Sequence, residues 1–276
     1  MKTLEFGNDR MRFGVLPECG GKISSLVDLG TGHEWMWQNP NLPHRIPDYG
    51  RNFERELDTG GWDELFPSVA PCEVDGVAVP DHGDLVSLPW EVTGHGDSVL
   101  SMRSRARSMP ATMEREIRLV EGMPEFVLAY TLRNESDHAL PFLVATHPLF
   151  ALECGSCLEL PDRAVLNVAG SLGQVTVGDT LQGDVLNAML AEKSGSWAMK
   201  IFSAPGTVSR VGFRQPNGAG IRMSWDVALL PVLGMWVNYG GWTGTGGAAY
   251  RNIGIEPGLS LIHISEPTRR TIPSRM

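Results

Sequence analysis

Apolar residues in this chain recur at every second position, in short runs closed by glycine or proline. That pattern limits the fold more than any other feature. Residues 86–93 (Val-Ser-Leu-Pro-Trp-Glu-Val-Thr) and 113–120 (Met-Glu-Arg-Glu-Ile-Arg-Leu-Val) alternate apolar and polar, and 125–133 does so more loosely. A period of two gives a strand one buried and one wet face. Residues 12–16 and 22–28 are short apolar runs separated by Gly20-Gly21, a pair suited to a turn that needs positive φ. Glu121-Gly122-Met123-Pro124 is a turn signal that joins the runs on either side of it into an antiparallel hairpin. Residues 140–146, 197–203, 208–214, 220–227 and 232–238 continue the pattern, and 181–193 is the best short helical candidate. Strands with short turns and no β–α–β alternation predict an all-β sandwich or barrel of antiparallel sheets. The 32 glycines and 19 prolines fit that many turns. Residues 38–80 stand apart, rich in Pro, Asp, Gly and Arg with little periodicity. Such a stretch in a compact domain is often functional.

Composition narrows the function classes. With 42% hydrophobic and 20% charged residues, the chain has the makings of a packed globular core. A net charge of −9 argues against a protein that tracks nucleic-acid phosphates, which needs a basic stripe. No apolar run approaches the roughly 20 residues that span a bilayer, and the start, Met1-Lys2-Thr3-Leu4-Glu5-Phe6, lacks the apolar core of a secretory signal. The expected compartment is the cytoplasm. Four cysteines (Cys19, Cys72, Cys154, Cys157) are too few for a disulfide scaffold. Cys154-Gly-Ser-Cys157 has no second pair to complete a zinc site and reads as incidental thiols.

The end of the chain is read separately. Leu259-Ser260-Leu261-Ile262-His263-Ile264-Ser265-Glu266-Pro267-Thr268-Arg269 resembles, residue for residue, the translation of a transposase-type sequencing adapter, and Ser274-Arg275-Met276 fits its constant end. The expectation is one β domain over 1–258, truncated at its C-terminal side, and a non-native tail over 259–276 that takes no part in fold reasoning. The tail holds Arg269, Arg270 and Arg275 against Glu266, a net +2, which leaves −11 for the remainder.

Three constellations could carry chemistry. Gly60-Gly61-Trp62-Asp63-Glu64-Leu65-Phe66-Pro67 is followed by Pro80-Asp81-His82-Gly83-Asp84. An aromatic platform beside carboxylates suits a carbohydrate, whose C–H faces stack and whose hydroxyls donate. Trp62 reads equally well as core and Asp63 as a turn cap. Thr146-His147-Pro148 ends an apolar run, with the proline holding the preceding residues extended. His147 titrates near neutrality and could serve as a general acid or base, or be a satisfied buried histidine. Gly254-Ile255-Glu256-Pro257 closes another apolar run on a carboxylate. Burial would raise its pKa towards that of a useful base, whereas an exposed strand end would leave it inert.

Asp81-His82-Gly83, Thr146-His147-Pro148 and Gly254-Ile255-Glu256-Pro257, in this order, resemble the motifs of the aldose 1-epimerases, the galactose mutarotase-like proteins. Gly60-Gly61-Trp62-Asp63-Glu64 and Ser224-Trp225-Asp226 with Leu233-Gly234-Met235-Trp236-Val237-Asn238 are similar to a divergent branch near the glucose-6-phosphate epimerase-like members. The resemblance implies a β-supersandwich of large antiparallel sheets. It implies interconversion of α and β anomers of a hexose without metal or cofactor. His147 then corresponds to the general acid on the ring oxygen and Glu256 to the base on the C1 hydroxyl. His82, Asp226, Asp63 and Trp62 correspond to sugar contacts. Arg51 and Arg55 are candidates for the family's arginine, although Asn52-Phe53-Glu54 departs from the usual Asn-Arg arrangement. The expected partner is a small-molecule sugar, with neither nucleic acid nor membrane, on a monomer or homodimer. A non-catalytic sugar-binding protein on the same fold and a hexose-6-phosphate mutarotase are the alternatives.

Overall fold

The computed structural model describes residues 1–259 except Arg163 and Thr245, so the adapter-like tail, Leu259 apart, lies outside the described residues. The architecture is all-β and antiparallel, and it divides into two compact units. Among the described residues no helix is long and apolar enough to cross a membrane.

The first unit holds residues 1–36 and 42–144. Its strands are β1 (Leu4–Gly7), β2 (Met11–Leu16), β3 (Lys22–Asp28), β4 (His33–Glu34), β5 (Gly61–Leu65), β6 (Cys72–Val74), β7 (Val77–Val79), β8 (Glu91–His95), β9 (Val99–Arg105), β10 (Ala111–Leu119) and β11 (Phe126–Asn134). They form a β1-β2-β3-β5 run with β4 beside β3, a β11-β10-β9-β8 sheet and a small β6-β7 hairpin. The β10–β11 hairpin expected from the turn at 121–124 pairs in full register from Ala111↔Asn134 to Leu119↔Phe126. β9, a strand not anticipated from the sequence, also alternates: Leu100, Met102 and Ser104 are buried and Arg103 and Arg105 are wet. Phe13 fixes the core: it stacks on Phe6 at 5.2 Å and takes Phe126 edge-on at 5.0 Å. Fully burying a side chain of this kind stabilises the fold by roughly 1.5–3 kcal/mol.

The second unit holds residues 37–41 and 145–259. It contains β12 (Ala145–Ala151), β13 (Cys157–Glu159), β14 (Val165–Leu172), β15 (Thr180–Gln182), α1 (Gly183–Ala191), β16 (Trp197–Ser203), β17 (Arg210–Arg214), β18 (Gly220–Ser224), β19 (Val232–Tyr239) and β20 (Arg251–Gly258). The large sheet runs β12-β20-β19-β16-β14-β15, and β13-β17-β18 forms a smaller one. Phe150, Leu166, Ile201, Val237 and Ile253 are fully buried, and α1 contributes Leu186 and Leu190.

Three expected stretches differ. The run at 86–93 is a 3₁₀ turn (Leu85–Ser87) followed by β8. Asp84, just before the turn, accepts from the backbone N–H groups of Arg107 and Ser108 at 2.7 and 2.8 Å. Residues 140–144 form no strand, although Leu143 donates its N–H to the Pro67 carbonyl at 2.7 Å. The irregular 38–80 stretch contains β5, β6, β7 and a five-residue π-helical turn, Phe53–Leu57. Every residue of β5 is buried, so no alternation marks it.

Candidate functional site

In the second unit, β12 and β20 pair antiparallel, with Ala145↔Gly258 on one side and Leu149↔Gly254 on the other. That register sets His147 directly opposite Glu256, so both side chains leave the same face of the sheet. His147 Nε2 lies 3.4 Å from Glu256 Oε1, and each residue is 7% exposed. Pro148 and Pro257 follow immediately and, lacking N–H, cannot donate to the ladder there.

Glycine shapes the space around the carboxylate. Gly254 stands two residues before Glu256 and therefore on the same face. A β-carbon on Gly254 would come within 2.4 Å of Glu256 Oε1. The carboxylate thus leans back over a position with no side chain. On the other flank β19 places Gly234 opposite Glu256. An acid–base pair on adjacent strands, largely shielded from water and set in a notch, can donate a proton at one atom and accept one at a neighbouring atom.

In the first unit the motif residues build a buried polar cluster. Asp63 and Glu64 are consecutive in β5 and point to opposite sides. Asp63 forms an ion pair with Lys22, whose ammonium also donates to the Gly60 carbonyl at 2.7 Å. Glu64 accepts from Arg115 Nη1 at 3.0 Å and from the Tyr130 hydroxyl at 2.7 Å. Burial pushes the Glu64 carboxyl up to about 7, against the pull of Arg115 and the Tyr130 hydrogen bond. Burial likewise raises Asp63, opposed chiefly by Lys22. Asp58 is raised to about 6 by burial, offset by Lys22 and His82. His44, which shares a 2.8 Å hydrogen bond with Thr59, is lowered to about 4 by burial and then by Lys22.

His82 adopts a positive φ of 62° and stacks on Phe53, with ring centroids 3.7 Å apart and planes 7° from parallel. Its Nδ1 lies 3.0 Å from Asp81. Gly83 follows with φ 78°, and a β-carbon there would meet the Phe66 carbonyl oxygen at 2.3 Å. Trp62 is core, packed edge-on against Phe126. Arg51 is exposed and pairs with Asp48 and Glu56 at 3.4 and 3.9 Å. Arg55 is exposed in the π-helical turn, whose first residues are capped by Asn52. Asp226, in the second unit, is exposed and accepts from the Ala228 N–H at 2.9 Å in a turn.

Of the residues nominated from the sequence, the structure brings His147 to Glu256 and sets His82 where its charge acts on the Asp63 carboxyl. Sequence reading missed Lys22, Asp58, Arg115, Tyr130 and Phe53, which hold the first unit's motif residues. Arg115 had a signal: it occupies the apolar phase of β10 between Met113 and Ile117. All four cysteines are free thiols. Among the described residues no group of three His, Cys, Asp or Glu side chains converges as a metal site.

The fold is that of the galactose mutarotase-like proteins. A galactose mutarotase-like protein from Lactobacillus casei superimposes with a TM-score of 0.60 at 18% identity, over 93% of this chain and 87% of that one. A galactose mutarotase related enzyme from Lactobacillus acidophilus gives 0.66 at 15% identity, over 93% and 85%. A protein of Synechocystis sp. PCC 6803 gives 0.65 at 21% identity, over 93% and 85%. No protein-family model matches the chain, and no curated protein matches it.

Proposed function

We propose that this protein is an aldose 1-epimerase, which interconverts the α and β anomers of a hexose through the open-chain aldehyde. The observation that carries this reading is the 3.4 Å approach of His147 Nε2 and Glu256 Oε1 on adjacent strands, within a mutarotase-like fold. The ring oxygen and the C1 hydroxyl of a hemiacetal are bonded to one carbon, so two side chains this near each other can reach one oxygen each. Protonated His147 gives its Nε2 proton to the ring oxygen while the Glu256 carboxylate takes the C1 hydroxyl proton. The C1–O5 bond breaks and the aldehyde forms. Rotation about C1–C2 presents the other carbonyl face. The freed hydroxyl attacks C1, returns its proton to His147, and Glu256 reprotonates the new C1 hydroxyl. Acid and base are both regenerated, so no co-reactant is consumed.

Polarimetry or NMR exchange between α- and β-glucose and α- and β-galactose tests the reading. Glu256→Gln and His147→Asn should each lower kcat by 10²-fold or more, the scale of a positioned acid or base, while sugar still binds. A folded wild-type protein that accelerates no common aldose, yet binds one, would instead be a non-catalytic sugar-binding protein.

A further inference from the structure

The small sheet of the second unit has one apolar and one basic face. Its register runs Cys157↔Arg214↔Gly220 and Glu159↔Gly212↔Arg222, with Leu158↔Phe213↔Ile221 between those rows. Paired residues share a face, and so do residues two apart on one strand. One face therefore carries Leu158, Val211 and Phe213, all buried. The other carries Glu159, two glycines, Gly212 and Gly220, and three exposed arginines, Arg210, Arg214 and Arg222.

The apolar face packs on the back of the large sheet. Phe213 meets Phe150 of β12 with ring centroids 6.1 Å apart. Phe150 stands three residues after His147 and so leaves β12 on the side opposite the acid–base pair. The arginine face is thus turned away from His147 and Glu256, with both sheets between. A ligand held there is not the sugar that meets the acid and the base.

The basic face is organised by one carboxylate. Glu159 Oε1 pairs with Arg214, and Oε2 pairs with Arg222 at 3.3 Å. Arg222 stands two strands from Glu159, roughly 10 Å at about 4.8 Å per strand. The carboxylate spans part of that gap by lying over Gly212, where a β-carbon would come within 2.7 Å of Oε2. Glu159, Gly212, Arg214, Gly220 and Arg222 together line a cavity of about 210 Å³. Each of the two guanidiniums gives its Nη2 to Glu159 and has further N–H donors in the same planar fork. Those donors match the oxygens of a phosphate or a carboxylate. Exposed ion pairs are weak, so Glu159 holds the guanidiniums in place without using up their capacity. Three arginines against one glutamate leave the face positive in a chain whose net charge is −9, which makes it a local attractor for anions.

We propose that this face is a second ligand site, which binds a small multivalent anion, a phosphate compound or a polycarboxylate, between Arg214 and Arg222. The test is titration calorimetry at low ionic strength with pyrophosphate and with citrate. Wild type is compared with Arg214→Gln/Arg222→Gln and with Gly220→Leu, and thermal melts confirm folding. Wild type should bind at least one probe with a Kd of about 1 mM or below, and the tighter probe separates phosphate from carboxylate. The arginine double variant should weaken that binding by about tenfold or more, the size of one charge-assisted hydrogen bond. Gly220→Leu keeps every charge. Its β-carbon would meet nothing nearer than the Phe213 carbonyl oxygen, at 3.9 Å, so the strand accepts the side chain while the cavity is filled. It should weaken binding by a similar factor. A wild type that binds neither probe, or a double variant within twofold of it, overturns the proposal. So does a Gly220→Leu protein that binds as wild type does, since the anion would then be drawn to surface charge and not to a site. Anomer exchange is not part of the readout, so this site and the epimerase reading stand or fall separately.

Discussion

Adding one methyl group at Gly254 should separate activity from stability. The residue does not adopt a positive φ, so alanine is allowed there on backbone grounds. The new β-carbon would sit 2.4 Å from Glu256 Oε1 and 3.3 Å from Leu149 Cδ2, whereas ordinary contact begins near 3.4 Å. The atom in the way is the tip of a flexible side chain, so the conflict is relieved by moving the carboxylate roughly 1 Å. The fold should accept this readily. Replacing a strand glycine by alanine recovers about 0.5–1 kcal/mol of backbone entropy, which offsets the local crowding. A misplacement of about 1 Å in a reacting group can cost about 10² in rate, or nearly 3 kcal/mol of barrier.

The assay is NMR exchange between anomers at saturating sugar, paired with a thermal melt of the same sample. Gly254→Ala should lower kcat by about 10² and leave the melting temperature within a few degrees. Gly234→Ala is the control, because its β-carbon would meet Phe202 Cε1 at 3.0 Å and only the backbone oxygen of Glu256, at 3.4 Å. It should cost some stability and much less rate. If Gly254→Ala kept wild-type kcat with an unchanged melt, the position of the Glu256 carboxylate would not control the reaction, and its role as base would fall.

Other perturbations bear on the first unit. Gly83→Ala places a β-carbon against the backbone of Phe66 and Ser68 at a φ of 78°, and neither neighbour can swing aside. The strained φ alone costs about 1–3 kcal/mol, so a melt that did not fall would contradict the geometry. Asp58, raised in the folded state to about 6 by burial, favours folding fully below its unfolded pKa near 3.8, and that contribution is lost as pH rises through about 6. Chemical denaturation at pH 4.5 and 7.5 should therefore show a smaller stability loss in Asp58→Asn than in wild type.

How much of this was legible in the sequence depended on whether a residue's partner was near in the chain. The β10–β11 hairpin could be read because its turn lies between its strands. The His147–Glu256 pair could be nominated, since each closes an apolar run before a proline, but the β12–β20 register joins residues 109 apart and no local pattern encodes it. β5 was hidden because burial on both faces removes alternation, and two adjacent carboxylates gave it the look of a loop. Those carboxylates are tolerated only because Lys22 and Arg115 arrive from β3 and β10. In Arg115 a charge on the apolar phase of a strand was the available clue. Gly254 was visible as a motif letter, but its reason, a carboxylate folded back over it, exists only in three dimensions.

The pairing of Lys22 with Asp63 makes a separable prediction about what this cluster does. Both side chains are nearly inaccessible, at 2% and 3%. Removing one partner of a buried ion pair leaves an uncompensated charge and typically costs about 3–5 kcal/mol, whereas replacing both by apolar residues is often neutral. Lys22→Met should therefore lower the melting temperature at pH 7.5 by roughly 10 °C, at about 2–4 °C per kcal/mol for a chain of this size. Lys22→Met with Asp63→Leu should recover most of that loss. Burial already holds the Asp63 carboxyl above its ordinary range, and Lys22 is the main force opposing it. Without the lysine the carboxyl should take up a proton more readily, so the penalty of the single variant should shrink as pH falls towards 5. A penalty that stayed constant across that range would mean Asp63 is not the group left unpaired. A double variant no more stable than the single one would mean the pair does more than neutralise itself.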